Sequence, residues 1–314
     1  MKQTFRQYGA VVAMLATVLA LSVLVTALAG NLSFGADKTK GKTVLATTYP
    51  IYVAALNILG DDPDVTLTRL DGAAAGCLHD YQMSPSDRRA VQAADLILLN
   101  GAGAETFLHG IVEESKCVDT SAGLDLLLSE GEHHHDHAEG EHPHEEMNEH
   151  LWLSPTLYAK QVEAVLNALI TLDPNNEETY RRNATEYLTH IYGIQVELAV
   201  LKTELEGAPC VLFHDSMAYL AADLGLDVKL TLSVEGESGL SAHHLGEVER
   251  LAAEHPDLLL LYDTQYALRY EGVAGNPVTI DTAVRGQNRA DDWLTAMRHN
   301  VDMLKQITQG GGAG

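Results

Sequence analysis

The sequence predicts an α/β fold of two parallel-sheet lobes joined by a long rigid helix. Three observations carry that reading. Short apolar, β-rich runs alternate with helical runs over residues 42–119 and again over 209–307, a rhythm that implies parallel strands covered by helices. Between these stretches a helical pattern holds from about residue 175 to 206. Such a helix would be about 48 Å long at ~1.5 Å per residue, too long to pack on one small sheet and suited to a strut. At 314 residues with 46% apolar side chains, the chain can also bury two cores of ordinary domain size. The expected segments are an export segment over 1–30, a first lobe over 42–173, a linking helix over 174–207 and a second lobe over 208–308.

The N-terminus reads as a targeting segment. Lys2 and Arg6 precede an uncharged run from Gly9 to Gly30, and Ala27-Leu28-Ala29 fits a signal peptidase site. The run is also long enough to span a bilayer uncleaved. A signal peptide and a membrane anchor both remain open, and both place the rest of the chain outside the cytoplasm.

Thr43–Thr48 then reads as a strand, Ile51–Leu59 as a helix and Val65–Leu70 as a second strand. A Gly/Ala-rich loop follows from Asp71 to Met83. Ser84-Pro85-Ser86-Asp87 marks a helix start: a capping hydroxyl, a proline in the first turn and an acid three residues on. Asp95–Asn100 is strand-like, Ala104–Glu114 is expected to be helical, and Cys117–Asp119 is a short strand. Ser154-Pro155 opens a helix to about Leu172, which Asp173-Pro174 ends. After the strut, Pro209–Phe213, Leu226–Leu232, Asp257–Tyr262 and Pro277–Ile280 read as strands. Ser216–Leu224, Ser241–Glu254, Gln265–Glu271 and Ala290–Ile307 read as helices, with a Gly-containing loop over Ser233–Leu240.

One stretch breaks this regularity. Residues 130–149 carry eight acids, His133, His134, His135, His137, His142 and His144, and no Lys or Arg; His150 follows directly. Imidazole suits divalent transition metals near neutral pH. With so few apolar residues the run cannot offset the entropy of ordering, so it reads as a mobile metal-handling loop. It ends at Glu149-His150-Leu151-Trp152-Leu153, which places His150 on a rigid edge. The net charge of −24 disfavours nucleic acid and anionic lipid as partners and draws cations. Cys77, Cys117 and Cys210 leave at least one thiol unpaired within a monomer; a Cys77–Cys117 bridge is one pairing the compartment would allow.

Open parallel sheets bind ligands beyond the carboxyl ends of their strands. His79 follows the Val65–Leu70 strand, His214 ends the strand Cys210–Phe213, Asp281 ends Val278–Ile280, and His150 ends the histidine-rich loop. A lone histidine at a strand end is more often a hydrogen-bonded surface residue than a ligand. His109, His190, His243, His244, His255 and His299 are read in that plainer way. The case for the four rests on their converging on one cleft between the lobes. Asp80 and Asp215 each follow a candidate histidine and are suited to orient a neighbouring ring.

Several segments are also similar to one known family. Gly76-Cys77-Leu78-His79-Asp80-Tyr81 with Ser84-Pro85-Ser86-Asp87, then Ala94-Asp95-Leu96-Ile97 through Asn100-Gly101, then Asn148-Glu149-His150-Leu151-Trp152-Leu153, Phe213-His214-Asp215 with Tyr219, and Ile280-Asp281 all match its pattern. The chain from about Lys42 to Leu304 resembles the metal-binding receptors of bacterial ABC importers for zinc and manganese, in their zinc-uptake branch. Glu149 departs from the pattern, which has Pro there. The resemblance implies two α/β lobes on one rigid helix, metal ligands at His79, His150 and His214, and Asp281 as a fourth. It also implies an ABC permease as partner.

Three imidazoles and one carboxylate suit Zn2+ in a tetrahedral site, whereas Mn2+ prefers more oxygen ligands. The expected function is an extracytoplasmic receptor, not an enzyme, that captures Zn2+ as a monomer and delivers it to a permease. The rivals are a manganese receptor of the same family, a secreted zinc hydrolase built on the three-histidine site, and a metal buffer or adhesin using the loop alone. Against the hydrolase stand the lack of a His-Glu-x-x-His helix and of a general base beside the set.

Overall fold

The computed structural model describes residues 41–70, 81–129, 146–232, 241–264 and 275–310. The export segment, residues 71–80 with His79, most of the histidine-rich loop, Ser233–Leu240 and the expected helix Gln265–Glu271 lie outside the described residues.

The first sheet contains β1 (Lys42–Ala46), β2 (Val65–Arg69), β3 (Leu96–Leu99) and β4 (Cys117–Asp119) in the order β2-β1-β3-β4, all parallel. The second contains β5 (Pro209–Leu212), β6 (Asp227–Thr231), β7 (Leu259–Asp263) and β8 (Asn276–Ile280) in the order β6-β5-β7-β8, again all parallel. The two lobes thus repeat one topology without a visible sequence repeat. In both, the first strand sits inside the sheet, paired on either side.

The covering helices are α1 (Tyr49–Leu59), α2 (Pro85–Ala93), α3 (Pro155–Leu172), α5 (Ala218–Leu224), α6 (Ala242–Glu254) and α7 (Asp292–Gly310). Local chemistry sets several of their ends. Ser84 and Asp87 form a reciprocal capping box on α2, with Pro85 in its first turn. The Ser154 hydroxyl accepts from the Leu157 amide to start α3, and Ser241 does the same for α6 through His244.

Strands are apolar on both faces because helices cover both. Val44 and Ala46 join the main core while Leu45 turns to an outer cluster with Leu70, Val91 and Ile97. Leu212 and Leu261 face the main core while Val211 and Leu260 face α6 beside Val248. Alternate residues of a strand point to opposite faces, which produces this division. The main core is continuous from the first sheet through α3, α7 and the strut to the second sheet.

The strut, α4, spans Glu177–Leu205, about 44 Å at ~1.5 Å per residue. It buries Tyr180, Ala184, Tyr187, Ile191, Ile194, Leu198, Leu201 and Leu205, spaced four and three apart, so one stripe faces the core along its whole length. Among the described residues no helix is long and apolar enough to cross a membrane.

One expectation fails. Ala104–Glu114 is not a helix; it holds turns and single 3-10 turns at Thr106–Leu108 and Glu114–Lys116. Gly101, Ala102, Gly103 and Gly110 all take left-handed backbone conformations, which interrupt right-handed helix. Glu105 is also drawn inward, where its carboxylate accepts the amides of Asn100 and Gly101 at the end of β3. Cys117 and Cys210 are free thiols, and Cys77 lies outside the described residues.

Candidate metal centre

The segments bearing His150 and His214 come from different lobes and meet between them. His150 leads into the 3-10 turn Leu151–Leu153 that precedes α3. His214 follows β5 and caps the turn Asp215–Met217 at the head of α5, its Nδ1 accepting the Ser216 amide at 3.0 Å. Both rings are almost fully buried, as is Asp215. Among the described residues His150, His214 and Asp215 form the one cluster able to hold a metal, each with a ligating atom within 4.8 Å of the others. Asp215 Oδ1 stands 3.2 Å from His214 Nδ1 and 4.0 Å from His150 Nδ1.

Neighbouring groups fix these side chains. Ser129 Oγ donates to Asp215 Oδ2 at 2.7 Å. Trp152 Nε1 donates to the Thr282 carbonyl, and Trp293 Nε1 to the Trp152 carbonyl. Trp152 in turn lies edge-on to His150, with ring centroids 5.2 Å apart. The stem of the histidine-rich loop closes through the Leu128–Met147 bridge and the Ser129 amide on the Glu146 carbonyl. The stem is also tied to the second lobe. Tyr219 Oη accepts the Leu127 amide and donates to the Asn148 carbonyl.

A further buried acid stands at the end of β3. Glu105 accepts from Thr47 Oγ1 at 2.6 Å and from the Asn100 and Gly101 amides. Burial nevertheless dominates and raises its carboxyl to about 7, and Glu149 pushes the same way. Asn100 links this acid to the site, since its Nδ2 donates to the Glu149 carbonyl at 2.9 Å.

Of the four residues expected from the sequence, the structure brings His150 and His214 together. His79 lies outside the described residues. Asp281 stands half-buried just after β8, as expected, but outside the cluster. Its Oδ1 accepts the Ala283 amide, and its amide donates to Asn300 Oδ1. Asp215, read from sequence as an orienting group, is the carboxylate beside both rings. The supporting groups Ser129 and Asn148 escaped the sequence reading. A signal for Asn148 was present: an Asx residue two positions before a candidate ligand can turn its side chain onto that residue's amide.

Two parallel-sheet lobes on a helical strut, with ligand-competent side chains meeting between them, define a solute-binding receptor. The chain belongs to the ZnuA family, the periplasmic component A of the zinc-uptake complex, whose pattern matches residues 44–307. It is 26% identical to the high-affinity zinc uptake system protein ZnuA of Bacillus subtilis over 306 residues, 92% of this chain and 95% of that protein. It is 26% identical to the zinc-binding lipoprotein AdcA of Streptococcus pneumoniae over 285 residues, 85% of this chain but 56% of AdcA, so it spans about half of that longer relative. The crystal structure of a ZnuA 138–173 deletion mutant with zinc bound matches with a TM-score of 0.66 at 22% identity, over 87% of this chain and 99% of that one. At that identity the likeness speaks to the fold.

Proposed function

We propose that this chain is an extracytoplasmic receptor that encloses one Zn2+ between its lobes and delivers it to an ABC permease. The observation that carries the reading is the buried meeting of His150 and His214 with Asp215, in a member of a zinc-uptake family. Imidazole-rich, low-coordination sites favour zinc over manganese.

His150 and His214 supply two ligands and His79 a third. Asp281 holds the fourth place in the pattern the chain resembles, and Asp215 is the carboxylate already beside the rings. The acidic, histidine-rich loop gathers dilute ions weakly before the cleft takes one. The lobes are those bounded by 42–173 and 208–308, with 174–207 between them. The N-terminal segment is a cleaved signal or a tether. The receptor works as a monomer, without catalysis and without nucleic acid.

Zinc competition with a chromogenic chelator tests the site. His150→Ala and His214→Ala should each weaken binding by more than about 100-fold, beyond the 10–100-fold typical of losing a supporting group. Comparing Asp215→Ala with Asp281→Ala identifies the carboxylate ligand. Tight binding that survives His214→Ala would refute the assignment. Binding should also weaken below about pH 6, as the imidazoles take up protons.

A further inference from the structure

We infer that Asn148 is a positioning residue that sets the tautomer of His150 and references its ring to the opposite lobe. The inference rests on the reading of His150 as a zinc ligand.

Asn148 Oδ1 accepts twice from His150, from the backbone amide at 2.9 Å and from ring Nδ1 at 3.0 Å. Its Nδ2 donates to the Asp215 carbonyl at 2.8 Å. These contacts fix which end of the amide is oxygen. A flipped amide would point its NH2 at the His150 N–H and its oxygen at the Asp215 carbonyl, losing both bonds. Because Oδ1 can only accept, His150 Nδ1 must carry the proton. In the neutral ring the lone pair is then on Nε2, the nitrogen that can ligate a metal without prior proton transfer. A hydrogen bond on one ring nitrogen choosing the metal-binding nitrogen is how supporting groups tune histidine ligands.

Asn148 does this with a side chain that reaches across the cleft. It belongs to the segment of His150, and the carbonyl it holds belongs to the residue after His214. One amide therefore indexes both candidate ligands. Asn148 is only 1% exposed, and Tyr219 Oη from the second lobe donates to its backbone carbonyl, so water does not compete for these bonds.

Nitrogen-15 NMR of the histidine rings and zinc competition on the full chain test this. In the metal-free wild type, His150 should show the Nδ1–H form, and adding zinc should move its Nε2 resonance. Asn148→Ala should give a mixture of tautomers and a 10–100-fold loss of zinc affinity. Asn148→Asp keeps the ring acceptor but loses the donor to Asp215, so it should keep the tautomer, with an affinity between the other two.

A metal-free wild type with the lone pair on Nδ1 overturns the inference whether or not the variants fold. So does folded Asn148→Ala with wild-type affinity while zinc still moves the His150 resonance. Tight zinc binding that leaves His150 unmoved instead overturns the ligand assignment, and this inference with it.

Discussion

The rings of His150 and His214 meet edge to face, their centroids 5.5 Å apart at 89°, although each is anchored in a different lobe. Neither lobe alone presents both nitrogens. Any ion they share must report the relation between the lobes, and capture and release by a receptor depend on that relation.

The histidine-rich loop should be dispensable for tight binding. Its stem closes at Ser129 and Glu146, so deleting residues 132–145 leaves the last rung intact. Calorimetric titration should then show the weak, multiple sites lost and one tight zinc retained per chain. Loss of the tight site would mean the loop supplies ligands to the cleft.

Stability should fall with pH through Glu105. Burial raises its carboxyl from the usual 4.5 to about 7, so the folded chain holds a proton that the unfolded chain releases. The group's contribution is full below about pH 4.5 and is lost as pH climbs toward 7. Urea unfolding of the metal-free protein should show wild type losing ground to Glu105→Gln across that window. Parallel pH curves for the two proteins would contradict this.

Trp293 should be a stability residue with an effect at the site. It is buried, stacks on Tyr158 at 4.2 Å and donates to the Trp152 carbonyl at 3.0 Å. Trp293→Ala should cost about 3–5 kcal/mol. Trp293→Phe fills most of the space but leaves the carbonyl unpaired, at about 1–3 kcal/mol. Denaturant midpoints measure both, and two variants within about 0.5 kcal/mol of wild type, the ordinary range for surface changes, would remove Trp293 from the core argument.

Much of the fold was legible because its signals are local. The capping box at Ser84, the proline after Ser154 and the long stripe of the strut are written within a turn or two of chain. Ala104–Glu114 misled because its residues are apolar enough for a helix. What decides there is left-handed backbone around Gly101, Ala102 and Gly103 and the inward pull of Glu105, both consequences of the adjoining strand ends. Of the candidate site, the end of the histidine-rich loop picked out His150 and strand-end position picked out His214, and family pattern supported both.

The sequence by itself determined most of the strands and helices, the strut and the two imidazoles that meet, since each depends on neighbours along the chain. Only the tertiary structure decided that Asp215 is the carboxylate beside the rings and that Asn148 holds both the His150 ring and the Asp215 carbonyl. Those relations depend on how two lobes dock, and hydrogen-bond partners across a cleft leave no periodic trace in the chain that carries them.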